Sequence, residues 1–249
     1  MRLKLFFPSL LLVASFSQAQ SPHPVTLPNG WSLSPAGRSV SLGDFPLNMA
    51  VSNSKRYIAV TNNGQGKQSL QLLDAKTEKQ LDKVPVGKAW LGLKFSADEK
   101  YLYVSGGNDN CILQYAVANN KLVLQDTIRL GNKWPNKISP GGIELDDARH
   151  LLYVVTKDNN SLYVIDLLTK QIRQQVKLAA EAYTCVLSPD KKMLYISVWG
   201  AKQVVLFNTV ESKLVTFVNV GDHPNELCIS GNGNYLYVAN AADNSVSVV

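Results

Sequence analysis

Leu187-Ser188-Pro189-Asp190-Lys191 leads into Lys192-Met193-Leu194-Tyr195-Ile196, a polar turn followed by a short apolar run with a tyrosine. Ser, Pro and Asp favour tight turns, and an aromatic, β-branched run of this length favours a strand. The same phrase recurs four more times. It reads Arg56-Tyr57-Ile58-Ala59-Val60, Lys100-Tyr101-Leu102-Tyr103-Val104, His150-Leu151-Leu152-Tyr153-Val154 and Asn234-Tyr235-Leu236-Tyr237-Val238. Anchors at 60, 104, 154, 196 and 238 lie 44, 50, 42 and 42 residues apart. A period in the forties built from short strands predicts an all-β propeller, one four-stranded antiparallel blade per repeat. No stretch sustains helical periodicity.

Working outward from the anchors gives the other strands. First strands are expected at 47–52, 91–96, 142–146, 183–188 and 226–230, and third strands at 69–73, 112–115, 162–165, 204–207 and 245–249. Fourth strands close on a glycine at 81–86, 127–130 and 217–220. Residues 38–42, just before Gly43, have the form of a fourth strand with no strands ahead of them, and the chain stops at the end of a third strand. The expectation is therefore about five blades, the last incomplete, taken from a seven-bladed ring. The competing expectation is a small ring in which 38–42 completes blade 5.

The start of the chain reads as an export signal. Arg2 and Lys4 precede an apolar stretch over 5–16, and Ser17-Gln18-Ala19 places small residues for cleavage after Ala19. The stretch is too short for a membrane span, which needs about 20 apolar residues, and no later segment is long and apolar enough. The domain expectation is thus a signal peptide at 1–19, an extended leader at 20–37 and a propeller at 38–249. The expected location is the periplasm or the exterior. Taking Arg2 and Lys4 from the 25 basic residues leaves a net charge of +4 against 19 acidic ones. That excess is spread along the chain, whereas a nucleic-acid face needs clustered Lys and Arg. Three cysteines (Cys111, Cys185, Cys228) are too few and scattered for a disulfide framework and are expected to be free and buried.

The strand exits Ile58-Ala59-Val60-Thr61-Asn62 and Tyr237-Val238-Ala239-Asn240, with the phrase at 187–195, resemble the signature of the YVTN, or YncE-like, β-propeller family. Leu27-Pro28-Asn29-Gly30-Trp31, Ser34-Pro35-Ala36-Gly37-Arg38, the run 43–50 and Val104-Ser105-Gly106-Gly107-Asn108-Asp109-Asn110 add a finer likeness. They are similar to the start of bacterial proteins in which such a propeller precedes an alkaline-phosphatase-like phosphoesterase domain. Nothing in 1–249 resembles that second domain, so the resemblance implies a non-catalytic half covalently linked to it.

A meander places the loop before strand 1 and the loop between strands 2 and 3 at the same end of each blade. One mouth should therefore gather Asn48, Trp90, Trp134, Tyr183 and His223 with Asn108, Asp109, Asp158, Trp199 and Asn240. Aromatic and amide side chains around a concave mouth suit a protein, peptide or small ligand. The structural alternative is that the indoles wedge between blades and the Asn and Asp residues cap turns. No catalytic motif, metal-ligand spacing or cofactor motif stands out: His223 with scattered carboxylates is poor spacing for zinc, and Gly64-Gln65-Gly66-Lys67 lies between strands with no helix to receive a phosphate. The leading expectation is an exported binding scaffold. The alternatives are a propeller hydrolase of the lactonase type and a propeller binding a redox cofactor.

Overall fold

The computed structural model describes residues 25–33, 39–133 and 135–249, so the signal peptide, Arg38 and Trp134 lie outside the described residues. The chain divides into two units, residues 1–41 and 42–249. In the first, β1 (Val25–Thr26) and β2 (Ser32–Leu33) pair antiparallel, so the leader holds a small hairpin rather than an extended run. Its cause is the Asn29-Gly30 turn, where Gly30 takes φ +82°, a conformation open to glycine without strain. Residues 39–42 lie outside any strand. The closing strand expected there is absent from the described residues, since an extended segment becomes a strand only when a neighbouring ladder takes its backbone hydrogen bonds.

The second unit is five antiparallel sheets in chain order. Blade 1 contains β3 (Pro46–Val51), β4 (Tyr57–Asn62), β5 (Ser69–Asp74) and β6 (Gln80–Pro85). Blade 2 contains β7 (Leu93–Phe95), β8 (Tyr101–Ser105), β9 (Cys111–Ala118) and β10 (Lys121–Arg129). Blade 3 contains β11 (Pro140–Asp146), β12 (Leu151–Thr156), β13 (Ser161–Asp166) and β14 (Gln171–Lys177). Blade 4 contains β15 (Cys185–Leu187), β16 (Met193–Val198), β17 (Gln203–Asn208) and β18 (Lys213–Asn219). Blade 5 has three strands, β19 (Pro224–Ile229), β20 (Leu236–Asn240) and β21 (Ser245–Val248). The repeat located all of these except β14, which Leu178 rather than glycine follows. The only helical turns among the described residues are two 3₁₀ turns, Gly107–Asp109 and Trp199–Ala201.

The core lies between the blades as successive layers. Leu70, Leu72, Leu93 and Leu102 fill the layer between blades 1 and 2. Ile112, Ile143, Leu152 and Ile165 fill the next, and Leu162, Leu194, Ile196 and Phe207 the third. Val204, Leu227 and Val238 form the last. Fully burying one such side chain is worth about 1.5–3 kcal/mol, so each blade is held mainly by its neighbours. The inner strands approach closely enough to demand glycine. A Cβ on Gly92 would lie 2.5 Å from the carbonyl oxygen of Gly141, and one on Gly142 would lie 2.6 Å from Thr184 Cα. All three cysteines are free, but Cys228 is exposed and only Cys111 and Cys185 are buried. Cys228 sits one residue from buried Leu227 in a strand, and so points to the opposite, uncovered face.

Candidate functional site

Strand direction brings the loops before β15 and β19 together with the loops leaving β12, β16 and β20. They enclose a cavity of about 450 Å³ lined by Trp90, Lys157, Glu181, Ala182, Tyr183, Trp199, His223, Asn225, Ala241 and Ala242. Trp90, Tyr183, Trp199 and His223 are all half-buried, which is the state of side chains offering one face to a cavity. An indole wedged between blades would be fully covered.

Each aromatic group has a local reason for its position. Trp90 precedes β7, where its backbone N–H donates to Ser105 O at 3.2 Å, and its Cβ lies beside the Gly107 turn (3.5 Å from a Cβ built there). Trp199 opens a 3₁₀ turn that ends with Lys202 in the left-handed region. Its indole meets the His223 ring edge to face, with centroids 3.9 Å apart and an interplanar angle of 72°. That arrangement fixes both rings without filling the cavity. Asp222 anchors the pair from outside. Its Oδ1 lies 2.7 Å from His223 Nδ1, though off the line of a hydrogen bond, and its Oδ2 is 2.9 Å from Lys202 Nζ. The hydrogen bond from Lys202 holds the Asp222 carboxyl below the usual range, although partial desolvation opposes it. Burial, with the nearby Glu226 charge, pushes the Tyr183 phenol up, so it stays a neutral hydrogen-bonding group.

A second cavity of about 700 Å³ shares Trp90 and Lys157 with the first and extends over blades 1 to 3, where Asn108 and Asp158 line it. Ser139 Oγ lies 2.5 Å from Asp158 Oδ2 and 3.0 Å from Asn108 Oδ1, so its single proton goes chiefly to the carboxylate. Asp109 lies beside Gly87 and pairs with Lys133 at 3.8 Å.

The structure places two of the expected face residues elsewhere. Asn48 lines a narrow cavity of about 140 Å³ between the inner strands, and its Nδ2 donates to Leu91 O at 2.5 Å, tying blade 1 to blade 2. Asn240 is 2% exposed and donates to Ser245 Oγ and Ser247 Oγ at 3.0 and 2.9 Å. Its counterpart in blade 1, Asn62, donates to Ser69 Oγ and Gln71 Oε1 at the equivalent positions. That repetition marks both amides as blade-closing groups, and it was visible in the sequence as the shared strand exits. Sequence reasoning missed Lys157, Glu181 and Asn225, which carry no local signature and meet only because the blades are arranged around one mouth. Among the described residues, no group of three or more His, Cys, Asp or Glu side chains is placed to hold a metal ion.

Two proteins named YncE, from Salmonella typhi and Salmonella typhimurium, are each 26% identical over 179 residues, 71% of this chain and 49% of theirs. The chain is a β-propeller similar to YncE. Antigen Lp49 of Leptospira interrogans is also 26% identical, over 205 residues, covering 73% of this chain and 42% of its own length. The chain thus spans about half the length, or less, of these curated relatives. Residues 165–249 match the family described as "Lactonase, 7-bladed beta-propeller". The crystal structure of a functionally unknown protein from Desulfotomaculum acetoxidans superposes with a TM-score of 0.68 over 82% of this YncE-like chain and 68% of its own. At 14% identity that likeness shows the fold alone.

Proposed function

We propose that this YncE-like chain is an exported, non-catalytic binding scaffold whose working face is the mouth containing Trp90, Tyr183, Trp199 and His223. One observation carries the reading: two half-buried indoles from blades 2 and 4 face a single cavity of ligand size (about 450 Å³). Export is supported by the sequence of the first nineteen residues, and the name of the Lp49 antigen sits well with it. Mass spectrometry of the mature protein should find a new terminus after Ala19. The likeness of residues 27–38, 43–50 and 104–110 to propellers fused to phosphoesterases extends the proposal to a linked phosphoesterase domain.

Truncating an aromatic anchor at a binding hot spot costs roughly 2 kcal/mol or more. Trp90→Ala and Trp199→Ala should each lower ligand affinity by at least about thirtyfold while the proteins still melt cooperatively. Asp98→Ala and Asp190→Ala, in turns on the opposite face, should bind as the parent does. Trp variants that remain folded and bind unchanged would sink the proposal.

A second reading, lactone hydrolysis, rests on the family match over residues 165–249. Its catalytic groups would be His223 and Glu181, the imidazole and the carboxylate that blades 4 and 5 bring to the first cavity. Turnover of a lactone panel that disappears in His223→Ala would favour it over the scaffold.

A further inference from the structure

The apolar cavity adjoins a basic one. The larger cavity is lined by Lys67 from the loop after β4, Lys88 from the loop after β6 and Lys157 from the loop after β12. All three are exposed. None of the three pairs with a carboxylate among the described residues, unlike Lys94, Lys121, Lys191 and Lys202. What sets them apart from other unpaired lysines such as Lys55 and Lys83 is that they line one cavity. The cavity's one carboxylate, Asp158, is engaged by Ser139. Three unpaired cations around one concave wall repel one another and attract an anion, and low-dielectric walls focus that field. Lysines act as rotatable point charges rather than the planar forks that arginine offers to carboxylates, which favours a tetrahedral anion. Trp90 and Lys157 belong to both cavities, so the aromatic chamber opens onto the cationic wall.

We propose that the two cavities form one bipartite site for a small aromatic phosphate. The ring lies against Trp199 and Trp90, and the phosphate meets Lys157, with Lys67 and Lys88 behind it. This rests on the binding reading above and names its ligand class. The basic residues outside the mouth are dispersed, so the field is local, as suits a small anion rather than a polyanion track.

Calorimetric and indole-fluorescence titrations would compare three probes: 2-naphthyl phosphate, 2-naphthol and inorganic phosphate. The phosphate ester should bind at least tenfold more tightly than the naphthol, and inorganic phosphate should bind more weakly than either. Lys157→Gln should collapse that ratio towards one. The pair Lys67→Gln and Lys88→Gln should reduce it several-fold, with melting curves unchanged because all three side chains are exposed. Salt at 0.5 M should shrink the ratio by screening the lysines. Equal affinities for the ester and the naphthol, or a ratio untouched by Lys157→Gln, would overturn the inference yet leave the aromatic cavity a binding site, provided naphthol binding falls in Trp199→Ala. If neither naphthyl probe binds, or both bind Trp199→Ala as well as the parent, the inference and the binding reading fail together.

Discussion

The two ends of the blades share a repeating backbone but differ in the side chains it carries. At the end away from the mouth, each turn from strand 1 to strand 2 repeats one solution. Lys55, Glu99, His150, Lys191 and Gly233 all take positive φ, between 54° and 75°. Ser96, Ser188 and Ser230 each donate to the Asp or Asn two residues on, at 2.6–2.7 Å, and accept the backbone N–H five residues on at 3.0 Å. At the mouth the backbone repeats too, with Asn110, Asn160, Lys202 and Asn244 all at φ between 48° and 55° and 3₁₀ turns at both 107–109 and 199–201. The side chains do not: Trp199 and Lys157 each occur once at their position. What repeats in every blade maintains the fold. The side chains that appear once, at the mouth, are the ones on which the binding proposal rests.

The strongest test of that contrast is Asp146, the turn-end carboxylate of blade 3. Its side chain is 1% exposed and lies 2.5 Å from Arg149 Nε and 3.3 Å from Lys191 Nζ. Arg149 in turn reaches Lys191 O and Thr209 Oγ1, at 2.7 and 2.9 Å, tying blade 3 to blade 4. Burial pushes the Asp146 carboxyl up, but the hydrogen bonds and charge of Arg149, with Lys191, outweigh it and hold it below its ordinary range. Asp146→Asn removes the charge partner of Arg149, which is 34% exposed and keeps its bonds to Lys191 O and Thr209. The loss is that of charge-assisted hydrogen bonds to a buried carboxylate, about 1.5 kcal/mol or more. Urea unfolding should show that loss while naphthyl binding at the mouth stays intact. A loss below about 1 kcal/mol, or a change in binding, breaks the division between the two ends.

A smaller effect sharpens the same division. Ser188→Ala removes the hydroxyl that bridges Asp190 and the Met193 N–H, and a hydrogen bond of this kind is worth about 1 kcal/mol. Ser96→Ala and Ser230→Ala should cost similar amounts, since the geometry is shared. Three comparable destabilisations with no change at the mouth would establish the turns as interchangeable parts, whereas widely different values would show that each blade solves its turn separately.

This contrast also governs what the sequence made legible. The propeller was readable because a period is a property of neighbours in the chain: a polar turn and a tyrosine-bearing strand recur every 42 to 50 residues. Strand β14 escaped because its closing glycine is replaced by Leu178. Trp90, Tyr183, Trp199 and His223 line one cavity, and that they emerge at one end was readable from the meander alone. The lysines were not, because Lys67, Lys88 and Lys157 are 21 and 69 residues apart and look like dispersed surface charge until the blades bring them round one cavity. Asn240 shows the converse: its amide repeats that of Asn62 at a strand exit, and both are buried and bonded within their own blades.

The finest distinction lies within the turn end, at the bends between strands 3 and 4. Asp74, Asp166 and Asn208 occupy the same position, and each accepts the backbone N–H groups two and three residues ahead through Oδ1, at 2.7–3.1 Å. Two are carboxylates and one is an amide, so the chain contains its own control. The Thr169 N–H, followed by Arg173 and the Leu168 N–H, holds Asp166 at about 2, and the Thr77 N–H and hydroxyl likewise lower Asp74. In the unfolded chain an aspartate titrates near 3.9. A depressed folded-state value means that the carboxylate stabilises the fold above about pH 4 and that this contribution is lost as pH falls from about 4 towards 2. Asn208 has no charge to lose there. Asp166→Asn keeps the acceptor oxygen and gives up only a partly exposed pairing with Arg173, so its penalty at pH 7 should be small. Denaturant unfolding of the parent and Asp166→Asn at pH 7, 5, 4 and 3 should give curves whose separation is constant down to pH 5 and then narrows. Asn208→Asp should import the same acid sensitivity into blade 4. A separation that persists to pH 3 would mean that the amide and the carboxylate differ in shape rather than in charge, and that this bend is a less uniform part than its three hydrogen-bond patterns imply.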